Sequence, residues 1–185
     1  ASVIGSLLPT DQLLARVLDL IFQEVDVEQG VILVSDPQTG DFLPEVVRFR
    51  SPVPPRPANG QQIVASRTII NHVVKARESV LCSNVVADKR FESGKSVQNL
   101  GMRSVICAPI VAHEQILGII HIDCPLTRHT YNEQELRLVT AIGYQAGLAI
   151  ENARLVQSQV QRERLAATGE TVALIVPDAR AFLTT

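Results

Sequence analysis

From Asn132 the chain holds one helical pattern as far as about Val176. That length constrains everything before it. At about 1.5 Å per residue it gives roughly 65 Å of helix. A compact body built from the preceding residues should be only about 35 Å across. Much of the helix must therefore project, and a projecting helix with an apolar stripe needs a partner. Val139, Ile142, Ala146, Ala149, Ala153, Val156 and Val160 recur at alternating spacings of three and four, which is a heptad seam. They are expected to form a homodimer interface. Leu138, Ala141, Leu148 and Leu155 make a second stripe, so one stripe is expected to pack on the protein's own sheet and the other on a second chain. The bland alternative is one amphipathic core helix with a fraying tail. Gly143, Ala146, Gly147 and Ala149 are small enough for backbones to approach closely. Pro177 is expected to end the helix.

Two apolar runs precede it, Arg103 to Ala112 and Ile116 to Cys124, joined by the short polar link His113-Glu114-Gln115. Such runs predict an antiparallel strand pair. Thr10 is positioned to cap a first helix carrying Leu14, Val17, Leu18, Ile21 and Val25, which Gly30 ends. A strand at Val31 to Ser35, a turn at 36–40 and a return strand at Phe42 to Phe49 follow, with Pro44 marking an edge or bulge. Ser51 to Gln62 is a proline-rich loop. Ser66 caps a helix reaching about Lys75, and Val80 to Cys82 is a short strand. Residues 84–101 are the long segment without a period, and such loops tend to carry function. The order predicts an α+β fold. One antiparallel sheet has the terminal helices on one face, and the 66–75 helix with the 84–101 segment on the other. A space between that segment and the sheet is a natural small-molecule pocket.

Composition narrows the function. A net charge of −2 offers no basic surface for nucleic acid. No apolar run reaches membrane-span length, and no export signal opens the chain. Three cysteines without a C-x-x-C pair suggest reduced thiols of a cytoplasmic protein and no zinc. The chain lacks an initiating Met, as a segment of a longer protein would, although Met removal before Ala1 would look the same.

The elements at 66–91, Arg103 to Ile110, Ile116 to Asp123 and Thr130 to Leu155 together resemble a GAF domain, the small-molecule-sensing module of signalling proteins. The combination Ser104-x-x-Cys107-x-Pro109-Ile110, then Gly118, then Ala149-Ile150-Glu151-Asn152-Ala153 carries the resemblance, which covers about Pro9 to Leu155. It implies a profilin/PAS-like central sheet of about six strands, a ligand cavity beneath 84–101 and dimerisation through the terminal helices. Residues 1–160 are then one sensor domain, and 161–185 a helical linker or truncated output segment. Glu163 to Ala173 is similar to the lead-in to the dimerisation helix of sensor histidine kinases, which suggests a two-component parent. The phosphoacceptor His would fall near Pro177 and is absent, so this chain is not itself expected to be an enzyme.

The candidate ligand-binding residues are Asn84, Asp88, Phe91, Leu100, Ser104, Cys107, His121 and Asp123. Asp88-Lys89-Arg90-Phe91 is expected to open a short turn over the pocket, where Phe91 as a lid residue competes with Asp88 as a helix cap. His121 and Asp123 alternate onto one strand face, where a hydrogen-bonded pair competes with a ligand contact. No catalytic or metal residue is assigned, and the ligand stays unknown. No cysteine precedes a His, as covalent bilin attachment would require. Cys124-Pro125 stands where cyclic-nucleotide-binding members carry Asn-Lys, and Tyr131 where they carry Phe. The expected function is a dimeric regulatory sensor passing ligand state through its long helix. The rivals are a thiol enzyme of the free methionine sulfoxide reductase type using Cys82 or Cys124, and a degenerate GAF domain that only dimerises.

Overall fold

The computed structural model describes residues 8–52, 65–95, 97, 101 and 103–183, with side chains as far as Gly169. Its elements are α1 (Thr10–Glu24), β1 (Gln29–Ser35), β2 (Phe42–Phe49), α2 (Arg67–Ala76), β3 (Val80–Cys82), a 3-10 turn at Val85–Ala87, β4 (Arg103–Ala112), β5 (Gln115–Pro125) and α3 (Glu133–Leu183). The strands form one antiparallel sheet in the order β2-β1-β5-β4-β3. The described residues thus supply five of the about six strands expected.

Local chemistry explains most boundaries. Ser66 Oγ accepts from Ile69 N–H at 3.3 Å and starts α2. Asp36 and Gly40 close the β1–β2 turn, with Gly40 at φ 75°. The β1–β2 register slips between Ile32 and Leu33, opposite Val46 and Pro44. This is the bulge expected at a proline on an edge strand. Three details differ from the sequence reading. Pro9, not Thr10, is the N-cap of α1, and no side chain caps that end. Gly30 lies inside β1, where a Cβ would meet Leu18 and Phe22 of α1, so it serves close packing and not helix termination. The backbone of α3 stays helical past Pro177 to Leu183. A proline there removes one backbone hydrogen bond, about 3 kcal/mol, without forbidding the helix.

The two sheet faces carry separate cores. Ile32, Ile106, Ala108, Ile110, Ile120 and Ile122 face α1 and α3, while Val31, Leu33, Val105, Cys107 and Ile119 face α2, Phe91 and Val97. The period-2 alternation of the strands makes this division. An Asn132–Glu135 capping box opens α3. Asn132 Oδ1 accepts from Gln134 and Glu135 N–H at 2.9 and 3.0 Å, and Glu135 Oε2 accepts from Asn132 N–H at 2.9 Å. Val139, Ala146, Ile150 and Ala153 are then buried against the sheet. Gly143 and Gly147 let the helix axis come close, because a Cβ at either would strike the carbonyl oxygens of Pro109 and Val111. These β4 residues lie beyond the reach of three-residue β3, so the helix covers a strand edge left unpaired. Past Ala153 the helix leaves the body. Every residue from 157 to 169 is exposed, and Leu155 and Leu165 are 61% and 65% exposed. Among the described residues no helix is long and apolar enough to cross a membrane.

Candidate functional site

The α2-facing side of the sheet holds a polar island. Register places Asp123 of β5 between Gln29 of β1 and Val105 of β4, and His121 between Val31 and Cys107. Arg103, at the start of β4 and of the same parity as Val105 and Cys107, donates to Asp123 Oδ1 at 2.5 Å. Gln29, His121 and Asp123 are all buried. The backbone N–H of Ser66 donates to His121 Nε2 at 3.5 Å. In the neutral ring Nδ1 then carries the proton. It stands 4.0 Å from Asp123 Oδ2, and among the described residues neither atom has a hydrogen-bond partner. An unpartnered buried polar atom costs about 1–3 kcal/mol.

Electrostatics matches that geometry. Burial pushes the Asp123 carboxyl up to about 7 against the pull of Arg103, and burial drives the His121 ring down to about 4. The ring is therefore neutral near pH 7, while the carboxyl keeps its proton to higher pH than an ordinary one. The arrangement presents one donor and one acceptor that a single hydroxyl-sized group could bridge. Among the described residues no set of three metal-ligating side chains converges there or elsewhere.

The other candidates disperse. Ser104 projects to the opposite face, since it is an odd number of residues from Cys107. It joins two elements there, its Oγ donating to Cys82 C=O at 3.1 Å and accepting from Tyr131 N–H at 3.0 Å. Phe91 is a buried core side chain and not a lid, wedged edge-on to His72 with Arg90 over its ring. Asp88 accepts from Arg90 N–H at 3.1 Å and is ion-paired with its guanidinium at 2.6 Å, so it organises the turn and is itself engaged. Asn84 Oδ1 accepts from Val86 N–H at 3.2 Å and caps the 3-10 turn. Cys107 is fully buried beside His121. Leu100 lies outside the described residues. Arg103 and Gln29 are the neighbours that sequence reasoning missed, since the register that brings them to Asp123 depends on the shift between Ile110 and Val111 and on the β1–β5 pairing.

The thiols lack the activation a nucleophile needs. Burial pushes Cys82 up to about 12, with Asp88 adding to it, and burial also raises Cys107 and Cys124. A reactive cysteine requires the reverse. The seam assignment also needs correction. Val139, Ala146 and Ala153 are buried against the chain's own sheet, and Ile142 packs on the same core. Ala149 and Val156 are half-buried and Val160 is exposed. The outward apolar side chains are Leu138, Tyr144, Leu148, Leu155 and Leu165.

Comparison with known proteins agrees with this architecture. Residues 9–150 match the family model of the GAF domain. A GAF domain/HD domain protein from Geobacter sulfurreducens superposes with a TM-score of 0.64 at 14% identity, covering 84% of this chain and 99% of that one. The GAF-B domain of DevS from Mycobacterium smegmatis gives 0.55 at 15% identity, with 83% and 99% covered. A methyl-accepting chemotaxis protein, residues 122 to 287, gives 0.61 at 17% identity, with 80% and 92% covered. In sequence, 88 residues are 23% identical to the hybrid signal transduction histidine kinase G of Dictyostelium discoideum. That stretch is 48% of this chain and 3% of the kinase.

Proposed function

The chain belongs to the GAF domain family, and from that premise we propose that it is the sensory domain of a signal-transduction protein, acting as a homodimer whose long C-terminal helix carries the state of a small-molecule site. The observation that carries this reading is the exit of α3 from the body. Its inner face is buried as far as Ala153, whereas its continuation keeps apolar side chains in water. Exposed leucines at positions 148, 155 and 165 favour a second copy of the same helix as cover. The seam then runs on the Leu148 and Leu155 side, with Tyr144 and Leu165 on the same face, whereas Val160 follows the stripe of buried Ala146 and Ala153. Residues 1–160 act as the sensor and 161–185 as the helical connection to an output domain of a two-component parent.

The ligand would bind on the α2-facing side of the sheet, against the His121 and Asp123 atoms that have no partner among the described residues. A ligand favouring one arrangement of α2 and the 84–101 segment shifts the equilibrium by its difference in affinity, and by nothing else. The raised thiol pKa values weigh against the cysteine-enzyme reading. The three free, buried cysteines support a reducing, cytoplasmic setting for this sensor. Mass in solution tests the dimer. Light scattering at micromolar concentration should return twice the chain mass of 20.2 kDa, and a monomer there would sink the paired-helix reading.

A further inference from the structure

Among the described residues three non-glycine positions have positive φ: Arg77 at 60°, His113 at 44° and Glu114 at 64°. All three are joined at one end of the sheet. His113 and Glu114 form the two-residue turn between β4 and β5, closed by the Ala112–Gln115 pair. Such turns demand left-handed backbone at both positions and favour Asn-Gly. A His-Glu sequence instead strains each residue. Arg77 closes the C-terminus of α2 in the same conformation, its N–H bonded to Val73 C=O. Its guanidinium donates to the Glu114 carbonyl. On the other side, His113 Nε2 donates to Glu151 Oε1 of α3 at 2.8 Å.

The two helices belong to opposite layers. α2 packs on the polar-island face, and α3 packs on the other. Between them stands a close-packed sheet, but at this turn two adjacent residues touch both. We propose that the His113-Glu114 turn is the coupling element between the layers: it links displacement of α2 to displacement of α3 through Arg77 on one side and Glu151 on the other, with its strained backbone as the part that changes state. A turn held in an unfavourable conformation by contacts from two bodies relaxes when either contact is lost. Glu151 sits between buried Ile150 and Ala153, close to the point where α3 leaves the body, so a shift there is delivered to the projecting segment. This regulation rests on the sensor reading for what moves α2, but the link itself exists without ligand.

Amide hydrogen exchange on the full chain tests it, using Arg77→Gln, Glu151→Gln and the double variant. Arg77→Gln should speed exchange in α3 around residues 147–153 by about fivefold, and Glu151→Gln should do the same at 73–76 in α2. The double variant should exchange no faster than the faster single one, because one link has been cut twice. Arg48→Gln, which breaks an exposed pair with Asp19, should leave both segments unchanged. Replacing His113-Glu114 by Asn-Gly should keep the turn while abolishing the cross-layer response. Effects confined to the mutated helix, or multiplying in the double variant, overturn the coupling. A monomeric mass would instead count against the paired-helix reading and leave the exchange result standing.

Discussion

Gly147→Ala is the sharpest test of how α3 is seated. In an exposed helix the change should stabilise by about 1 kcal/mol, because alanine restricts the unfolded chain and favours helix. At this position the new Cβ would overlap the Val111 carbonyl oxygen and stand 2.6 Å from its carbon. Both are backbone atoms of β4, held by its pairing with β5, so the helix has to retreat by about 1 Å to restore ordinary contact. A gap of that size forfeits about a quarter to a half of the dispersion energy of each pair. The side chains that lose it are Ala146 and Ile150, buried on either side. Overpacking of this kind costs about 1–3 kcal/mol. With the backbone gain subtracted, a net loss of about 1 kcal/mol is expected. For a domain of this size that lowers Tm by about 2–4 °C. Gly143→Ala, with its Cβ 2.6 Å from the Pro109 oxygen, should lose less. Gly169 has nothing within 4 Å, and Gly169→Ala should be neutral or slightly stabilising. Thermal and urea unfolding of the three variants decide the matter. A Gly147→Ala protein as stable as its parent would refute the close approach of α3 to β4.

Further outcomes follow from the same contacts. Leu148→Asp with Leu155→Asp should yield a monomer by light scattering with an unchanged unfolding midpoint at low protein concentration, whereas Ala146→Glu should destabilise the fold itself. Asn132→Ala removes the cap of α3 and should cost about 1 kcal/mol in chemical denaturation. The pH dependence separates His121 from Asp123. His121 is depressed, so the unfolded chain binds the extra proton between about pH 4 and 6.5, and its contribution to stability rises with pH across that window. Asp123 is raised, so the folded chain binds the extra proton between about pH 4 and 7, and its contribution falls with pH there. The two slopes oppose each other at up to about 1.4 kcal/mol per pH unit. Asp123→Asn should therefore expose a stability that climbs with pH, and His121→Gln one that declines. Parallel curves for the two variants would contradict the assignment.

Strand content was legible because β-branched runs between polar turns leave few alternatives, and the β2, β3 and α2 boundaries follow from Pro44, the shortness of the 80–82 run and the Ser66 cap. Parity was equally readable but went unused. Ser104 and Cys107 are three residues apart on one strand, so they had to face opposite layers, whereas Arg103 shares a face with Asp123 only through the register shift between Ile110 and Val111. The α3 seam was misassigned for a different reason. A stripe of valines and alanines has the same spacing whether it meets a sheet or another helix. The glycines at 143 and 147 were the distinguishing mark, since their lack of side chain fits a flat strand edge pressed against them. The engagement of Asp88 by Arg90 and the burial of Phe91 depend on how the chain folds over itself between 84 and 91. No local pattern encodes that.

The uninterrupted course of α3 beyond Ala153 sets a rotational phase. Each residue turns the helix by about 100°, so removing a single residue between 154 and 169 swings everything downstream about a quarter of the way round. Removing seven restores the heading to within about 20°. Insertions and deletions in this stretch should thus alternate between silent and disruptive with a period of seven, much as a camshaft tolerates whole revolutions and nothing in between.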